Sequence, residues 1–425
     1  MVAGRCDGGR IVSFFGGLIS TVFEKRHRGA LSEDAAGRDT PALARDLLGS
    51  RSEVSGGTLA RLILDRYALM PADEKPAFFA YMTEGLEIDA EAVIKTLKSY
   101  REAPSKQSYR AFAAASEPRR QELIRRLNQV PGATARLVKM RQDLLELLRD
   151  NPSLEPLDVD FQHLFSSWFN RGFLVLHPIN WCSPADILEK IIAYEAVHAI
   201  DSWDDLRRRL QPQDRRCFGF FHPAMAGEPL IFVEVALTKG IPNSVQGLLA
   251  DEREAIDPEE ADTAVFYSIS NCQAGLAGIS FGSSLIKQVA ADLSRELPTL
   301  KNFVTLSPIP GLNKWLATSQ LPAATEDNRR ALAAHYLLEA KRPDGMPVDP
   351  VARFHLGNGA ALHAVHAGAD TSQNGVAQSG GAMVNYLYDL AQITFNHERF
   401  VTEKTVTASP EVRALSAKIE LRAEG

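Results

Sequence analysis

Phe266–Gly311 reads FYSISNCQAGLAGISFGSSLIKQVAADLSRELPTLKNFVTLSPIPG. Thr263–Cys272 is apolar, aromatic and hydroxyl-rich, which suits a buried strand. Gly275, Gly278 and Gly282 then punctuate a turn. Leu285, Ile286, Val289 and Leu293 recur at helical spacing up to Leu297. A second strand, Asn302–Leu306, runs into Ser307-Pro308-Ile309-Pro310-Gly311, where two prolines forbid regular structure. Strand, glycine loop, helix and strand make a crossover unit. Its loop presents backbone N–H groups at a helix N-terminus, which suits a phosphate.

Around this unit, the 425 residues call for two domains. A composition 45% hydrophobic and 24% charged is that of a soluble globular protein. The net charge of −6 argues against nucleic acid as main partner, while leaving room for a local basic patch. Cys6, Cys182, Cys217 and Cys272 are too few and too scattered for a disulfide framework, and no CxxC pair is present. A reducing, cytoplasmic setting follows. The apolar patch Ile11–Ile19 falls short of the roughly 20 residues a membrane helix needs. Met1–Arg28 reads better as a tail leading into a short helix than as a transit peptide, and the Ser-Lys-Leu address is absent from the C-terminus.

From Thr58 the pattern is helical. Leu59, Leu62, Ile63 and Tyr67 mark one face, and Leu137, Met140, Leu144, Leu147 and Leu148 another. Breaks fall at Pro71, Pro104, Pro118 and Pro131-Gly132. Residues 1–56 show no sustained period. The expectation is an all-helical domain over residues 1–165 that serves folding or assembly. Residues 166–425 form an α+β domain with a mixed sheet, in which strands Cys217–Phe221 and Leu230–Leu237 make a hairpin.

Candidate chemistry is sparse when the residues are read alone. The loop 273–283 fits a phosphate or thioester site, and a bare turn as well. Ser307 ends a strand before a rigid turn, at the kind of edge where open sheets place ligands; a serine satisfying turn backbone explains it too. His355, flanked by Phe354 and Leu356, would on a strand point away from that core-facing pair, and a core histidine tied to a carbonyl is the plainer reading. Ser268 and Ser270 share a strand face and could line an acyl pocket. Glu234, on an apolar strand, calls for a salt bridge. His363 and His366 lack the acidic or cysteine partners of a metal site. GxSxG, Walker A and HExxH motifs are absent.

FYSIS, QAGLAG, the SLIKQV helix, LSPIPG, ARFHLGNGA and NYLY resemble, in order, the malonyl-CoA decarboxylase family. The match runs from about Trp168 to Tyr388. The resemblance implies an acetyltransferase-type (GNAT-like) fold for the second domain, with coenzyme A between splayed strands. It places malonyl-CoA along Ala277, Gly278, Ile279, Ser280, Phe281, Gly282 and Ser283. The family's Ser–His pair falls on Ser307 and His355, and its active-site tyrosine on Tyr388. Where the animal enzymes have a glutamate, this chain has Ser280. The resemblance also implies a homo-oligomer, dimer or tetramer, through the helical domain, and a place in fatty-acid metabolism.

The chemistry needs neither metal nor organic cofactor, because the thioester itself takes the electrons released with carbon dioxide. Donors aimed at the enolate oxygen, and a proton for C2, complete it. His355 is expected to be the proton donor, its pKa near neutrality. Ser307 would be hydrogen-bonded to it, and Tyr388 would orient or polarise the malonyl group. A CoA-dependent N-acyltransferase and a non-catalytic CoA-binding protein are the rival readings.

Overall fold

The computed structural model describes residues 38–50, 52–279 and 285–419. They fall into two units. One comprises the chain up to Phe169 together with Gln273–Ile279; the other comprises Asn170–Cys272 and the chain from Ser280 onward.

The first unit is helical, with helices at Thr40–Gly49, Glu53–Leu69, Lys75–Glu84, Ala90–Glu102, Lys106–Ser116, Arg119–Leu127, Ala133–Leu148 and Glu155–Trp168. The helix Thr40–Gly49 lies inside the stretch that shows no period. Its signal was short but present: Asp39 caps Ala42 N–H at 2.6 Å, and Pro41 occupies the first turn. Of the two stripes, Ile63, Tyr67, Leu137, Met140 and Leu144 are buried and Leu59, Leu62, Leu147 and Leu148 half-buried, and burial of that apolar surface is what holds the helices together.

The second unit carries an eight-stranded sheet in the order β1-β2-β3-β4-β5-β8-β6, with β7 pairing β8. The strands are β1 (Val175–Ile179), β2 (Arg215–Phe221), β3 (Pro229–Thr238), β4 (Thr263–Asn271), β5 (Asn302–Thr305), β6 (Ser307–Pro308), β7 (Ala361–His366) and β8 (Met383–Leu387). β2 and β3 form the expected hairpin, and β1 through β4 pair antiparallel. β4 and β5 are parallel, joined by the chain that carries the helix Leu285–Glu296, so the crossover reading holds.

The β4–β5 ladder is short. It runs from Thr263↔Asn302 to Phe266↔Thr305, after which β4 continues to Asn271 paired only with β3. Leu306 N–H still reaches the Phe266 carbonyl at 3.1 Å. Beyond that point the two strands share no ladder, which is the parting that an acetyltransferase-type fold requires. Ser307 lies immediately past it, pairing with Val384 of β8.

Candidate active site

The site begins with two residues of one face. Thr305 and Ser307 are two apart in an extended chain, so their side chains point the same way. The Ser307 hydroxyl donates to Thr305 Oγ1 at 2.8 Å. Thr305 Oγ1 also accepts the Tyr386 N–H at 3.2 Å, and Asn385 Nδ2 donates to the Thr305 carbonyl at 2.8 Å. β8 is thereby fastened to the strand that delivers Ser307.

His355 comes from a helix, Pro350–Gly357, and not from a strand as its flanking residues suggested. The physical reason is readable in the residues. Asp349 caps and Pro350 starts the helix, and the buried positions Ala352, His355 and Leu356 recur at helical spacing, while Phe354 is exposed. This helix places His355 Nε2 3.1 Å from Ser307 Oγ and His355 Nδ1 2.8 Å from the Tyr388 hydroxyl. The imidazole also stacks on Tyr386, with ring centroids 4.5 Å apart. Three residues separated by 48 and 33 positions thus form one continuous line.

The line is dry: Ser307, His355 and Tyr388 are 5%, 3% and 1% exposed. Burial lowers the His355 pKa to about 3 and raises that of Tyr388 well above its usual value. The expected pKa near neutrality is therefore not met. With no carboxylate in contact to offset desolvation, the imidazole is neutral at pH 7, and the phenol keeps its proton. One arrangement satisfies every partner: Tyr388 O–H donates to Nδ1, Nε2–H donates to Ser307 Oγ, and Ser307 O–H donates to Thr305 Oγ1.

Other expected residues lie elsewhere. Ser268 donates to the Glu195 carboxylate (2.8 and 2.7 Å) and sits opposite Glu234 in the ladder, in a second polar group. Glu234 makes the anticipated ion pair, with Arg209 at 3.3 Å. Of the loop, Ala277, Gly278 and Ile279 are described; Ser280, Phe281, Gly282 and Ser283 lie outside the described residues.

The loop segment Gln273–Ile279 belongs to the helical unit and is held by Arg141, which sequence reasoning passed over. Its Nη1 donates to the carbonyls of Gly275 (2.8 Å) and Ala277 (2.9 Å), and its Nε to Asp158 at 2.7 Å. At Gly275 a Cβ would stand 1.9 Å from the Val138 carbonyl, and Gly278 adopts φ +77°, so both glycines are required.

Two residues of the Ser307 site were missed as well: Thr305 and Tyr386. Period-2 alternation puts them on the faces of Ser307 and Tyr388, a signal available in the sequence. Cys217 and Cys272 are buried and free. Among the described residues, no three His, Cys, Asp or Glu side chains are grouped to hold a metal. No described helix is long and apolar enough to cross a membrane.

Comparison with known proteins places the chain in a family. Residues 172–328 and 320–424 match the malonyl-CoA decarboxylase C-terminal domain, and residues 86–169 match the N-terminal domain. The mitochondrial malonyl-CoA decarboxylase of Anser anser anser is 35% identical over 356 residues, 71% of this chain and 70% of the relative. That of Mus musculus is 29% identical, over 98% of this chain and 95% of its own. The crystal structure of malonyl-CoA decarboxylase from Rhodopseudomonas palustris superimposes with a TM-score of 0.83 at 49% identity, covering 88% of this chain and 98% of that one. That from Agrobacterium vitis gives 0.85 at 48% identity, covering 89% and 100%. The chain belongs to the malonyl-CoA decarboxylase family.

Proposed function

We propose that Ser307, His355 and Tyr388 carry the decarboxylation of malonyl-CoA to acetyl-CoA and carbon dioxide through a neutral hydrogen-bonded relay. The observation that supports this most is the buried line Ser307 Oγ–His355 Nε2 and Nδ1–Tyr388 OH. When the malonyl carboxylate leaves as carbon dioxide, its bonding electrons pass through C2 to the thioester oxygen as an enolate. In this reading Ser307 O–H, released from Thr305, donates to that oxygen. In a water-excluded pocket such a donor is worth roughly 3–4 kcal/mol of barrier.

C2 then needs a proton. A thioester enolate is a much stronger base than an alkoxide, so a serine hydroxyl protonates it without first becoming acidic. The Ser307 proton goes to C2, and the alkoxide this leaves on Ser307 Oγ is held by the His355 Nε2–H until it is reprotonated, while Tyr388 holds Nδ1. The one proton consumed overall comes from water. Histidine here acts by having two differently partnered nitrogens and not by carrying charge.

Coenzyme A is assigned to the segment Ala277–Ser283, where glycines allow a backbone to approach an anion. Arg141, which anchors this segment, is then a positioning residue for substrate. In this reading no cofactor takes part, and the assembly is a dimer or tetramer working in the cytoplasm in fatty-acid metabolism. Light scattering tests the assembly. The reaction is tested by incubating the purified, metal-stripped protein with malonyl-CoA and following acetyl-CoA by mass. Turnover supports the proposal, and intact malonyl-CoA with coenzyme A still bound overturns it in favour of a binding protein.

A further inference from the structure

Asp349 is fully buried at the start of the His355 helix. Its Oδ1 accepts the Ala352 N–H at 2.8 Å, an ordinary helix cap. Its Oδ2 makes no hydrogen bond, and neither does the hydroxyl of Tyr336. Both atoms converge on Gly311, the residue that ends the Ser307-Pro-Ile-Pro-Gly turn. A Cβ there would stand 2.3 Å from the Tyr336 hydroxyl and 3.9 Å from Asp349 Oδ2. Only glycine lets the phenol close on that turn.

The electrostatics agree with the geometry. Burial raises the Asp349 pKa to about 6, while the amides of Ala352, Val351 and Gly311 favour its ionised form. Gly311 belongs to the turn after Ser307; Val351 and Ala352 belong to the helix of His355. The one cation nearby, Arg353, points its Nη1 at the Pro347 and Val348 carbonyls at 2.8 and 2.7 Å. A cap alone has no need of a fully buried second oxygen facing another segment.

We propose that Asp349 is a positioning residue for decarboxylation. Its carboxylate caps the helix that carries His355 with one oxygen and packs its other oxygen near the turn that follows Ser307, and so positions the two reacting residues, 3.1 Å apart, against each other. The Tyr336 hydroxyl packs against the same turn at Gly311. The proposal rests on the assignment of Ser307 and His355 as the reacting pair.

Asparagine separates the two functions of this side chain. It is as good a helix cap as aspartate, but it presents an NH2 where Asp349 presents a second acceptor. In Asp349→Asn, the melting temperature and coenzyme A affinity should stay close to wild type. Turnover of malonyl-CoA should fall between about tenfold and 10²-fold at unchanged KM, as expected for reacting groups displaced by less than an ångström or so. The 15N signal of His355 Nε2, which needs no turnover to observe, should shift. Tyr336→Phe, which keeps the carboxylate, should show the same changes at smaller size and supplies the test should the first variant not fold. Wild-type turnover together with an unshifted His355 signal in either folded variant would reduce Asp349 to a helix cap. A shifted signal in a protein whose wild-type form does not decarboxylate malonyl-CoA would sustain the tie and sink the assigned reaction instead.

Discussion

Two buried polar groups in the second unit handle the loss of water in opposite ways. Around Ser307, His355 and Tyr388, every partner is neutral, and the proton positions are fixed by hydrogen bonds alone. Around Arg209, burial is met with charge. Arg209 donates to the His198 and Ala199 carbonyls at 2.8 and 2.9 Å, to Asp205 at 3.0 Å and to Glu234 at 3.3 Å. Glu195 accepts Ser268 and the amides of Val197 and His198. The charged group holds fixed atoms in fixed places. The neutral line can give its Ser307 proton to an enolate with no buried imidazolium formed, the negative charge passing from the enolate to an oxygen that the His355 Nε2–H already faces.

This contrast can be broken most forcefully at His355. His355→Ala should lower kcat on the order of 10²–10⁴-fold while leaving coenzyme A affinity near wild type. Parallel losses in both, read by steady-state kinetics and calorimetry, would move His355 from the reaction to the scaffold.

The reciprocal experiment is Arg209→Met. It strands Glu234 and two carbonyls, so stability to urea should fall by roughly 3–5 kcal/mol, with turnover per folded molecule preserved. A selective loss of kcat would join the two groups into one site.

Tyr388→Phe removes only the bond to Nδ1 and should cost roughly 1 kcal/mol, a several-fold loss in kcat. No loss would leave Tyr388 as packing against the histidine.

The smallest effect concerns pH. Burial and the neighbouring Glu195 raise the Glu234 pKa to about 8 from its ordinary value of 4.5. Between these values the folded chain holds a proton that the unfolded chain has released, so this group's contribution to stability falls as pH rises through that window. Glu234→Gln should flatten that part of the stability–pH curve. An unchanged slope would mean that Arg209 keeps Glu234 ionised.

Much of the architecture was legible because its signals are local. The strand–loop–helix–strand unit, the β2–β3 hairpin and the helix stripes all follow from periodicity and glycine or proline punctuation. His355 shows how a local signal misleads. Phe354 and Leu356 on either side imitate strand alternation, while the cap at Asp349, proline at the first helical position and the Ala352–His355–Leu356 spacing specify a helix. Ser307 and His355 were candidates on their residues alone, but their pairing, and Tyr388, came only through resemblance, since nothing in a serine before Pro-Ile-Pro-Gly announces a partner 48 residues away. Thr305 and Tyr386 were within reach of the alternation rule. Arg141 was not: its carbonyl partners lie 134 and 136 residues downstream, and a basic residue on a helix face ordinarily meets solvent.

The pKa of His355 lay furthest from the sequence. A histidine is expected near neutrality until its surroundings are known, and here burial without a charged partner takes it to about 3. The linkage sign is the reverse of that at Glu234. The unfolded chain binds a proton below its ordinary pKa that the folded chain refuses, so this contribution to stability is lost as pH falls.

The most direct test is 15N NMR of the free protein's imidazoles across about pH 5–8, the range in which an ordinary histidine titrates, with His355→Ala used to assign the signal. A neutral ring, protonated on Nε2 and unchanged across that range, is the predicted result. An imidazolium titrating near the ordinary histidine pKa would contradict the neutral relay and return His355 to the role of charged proton donor.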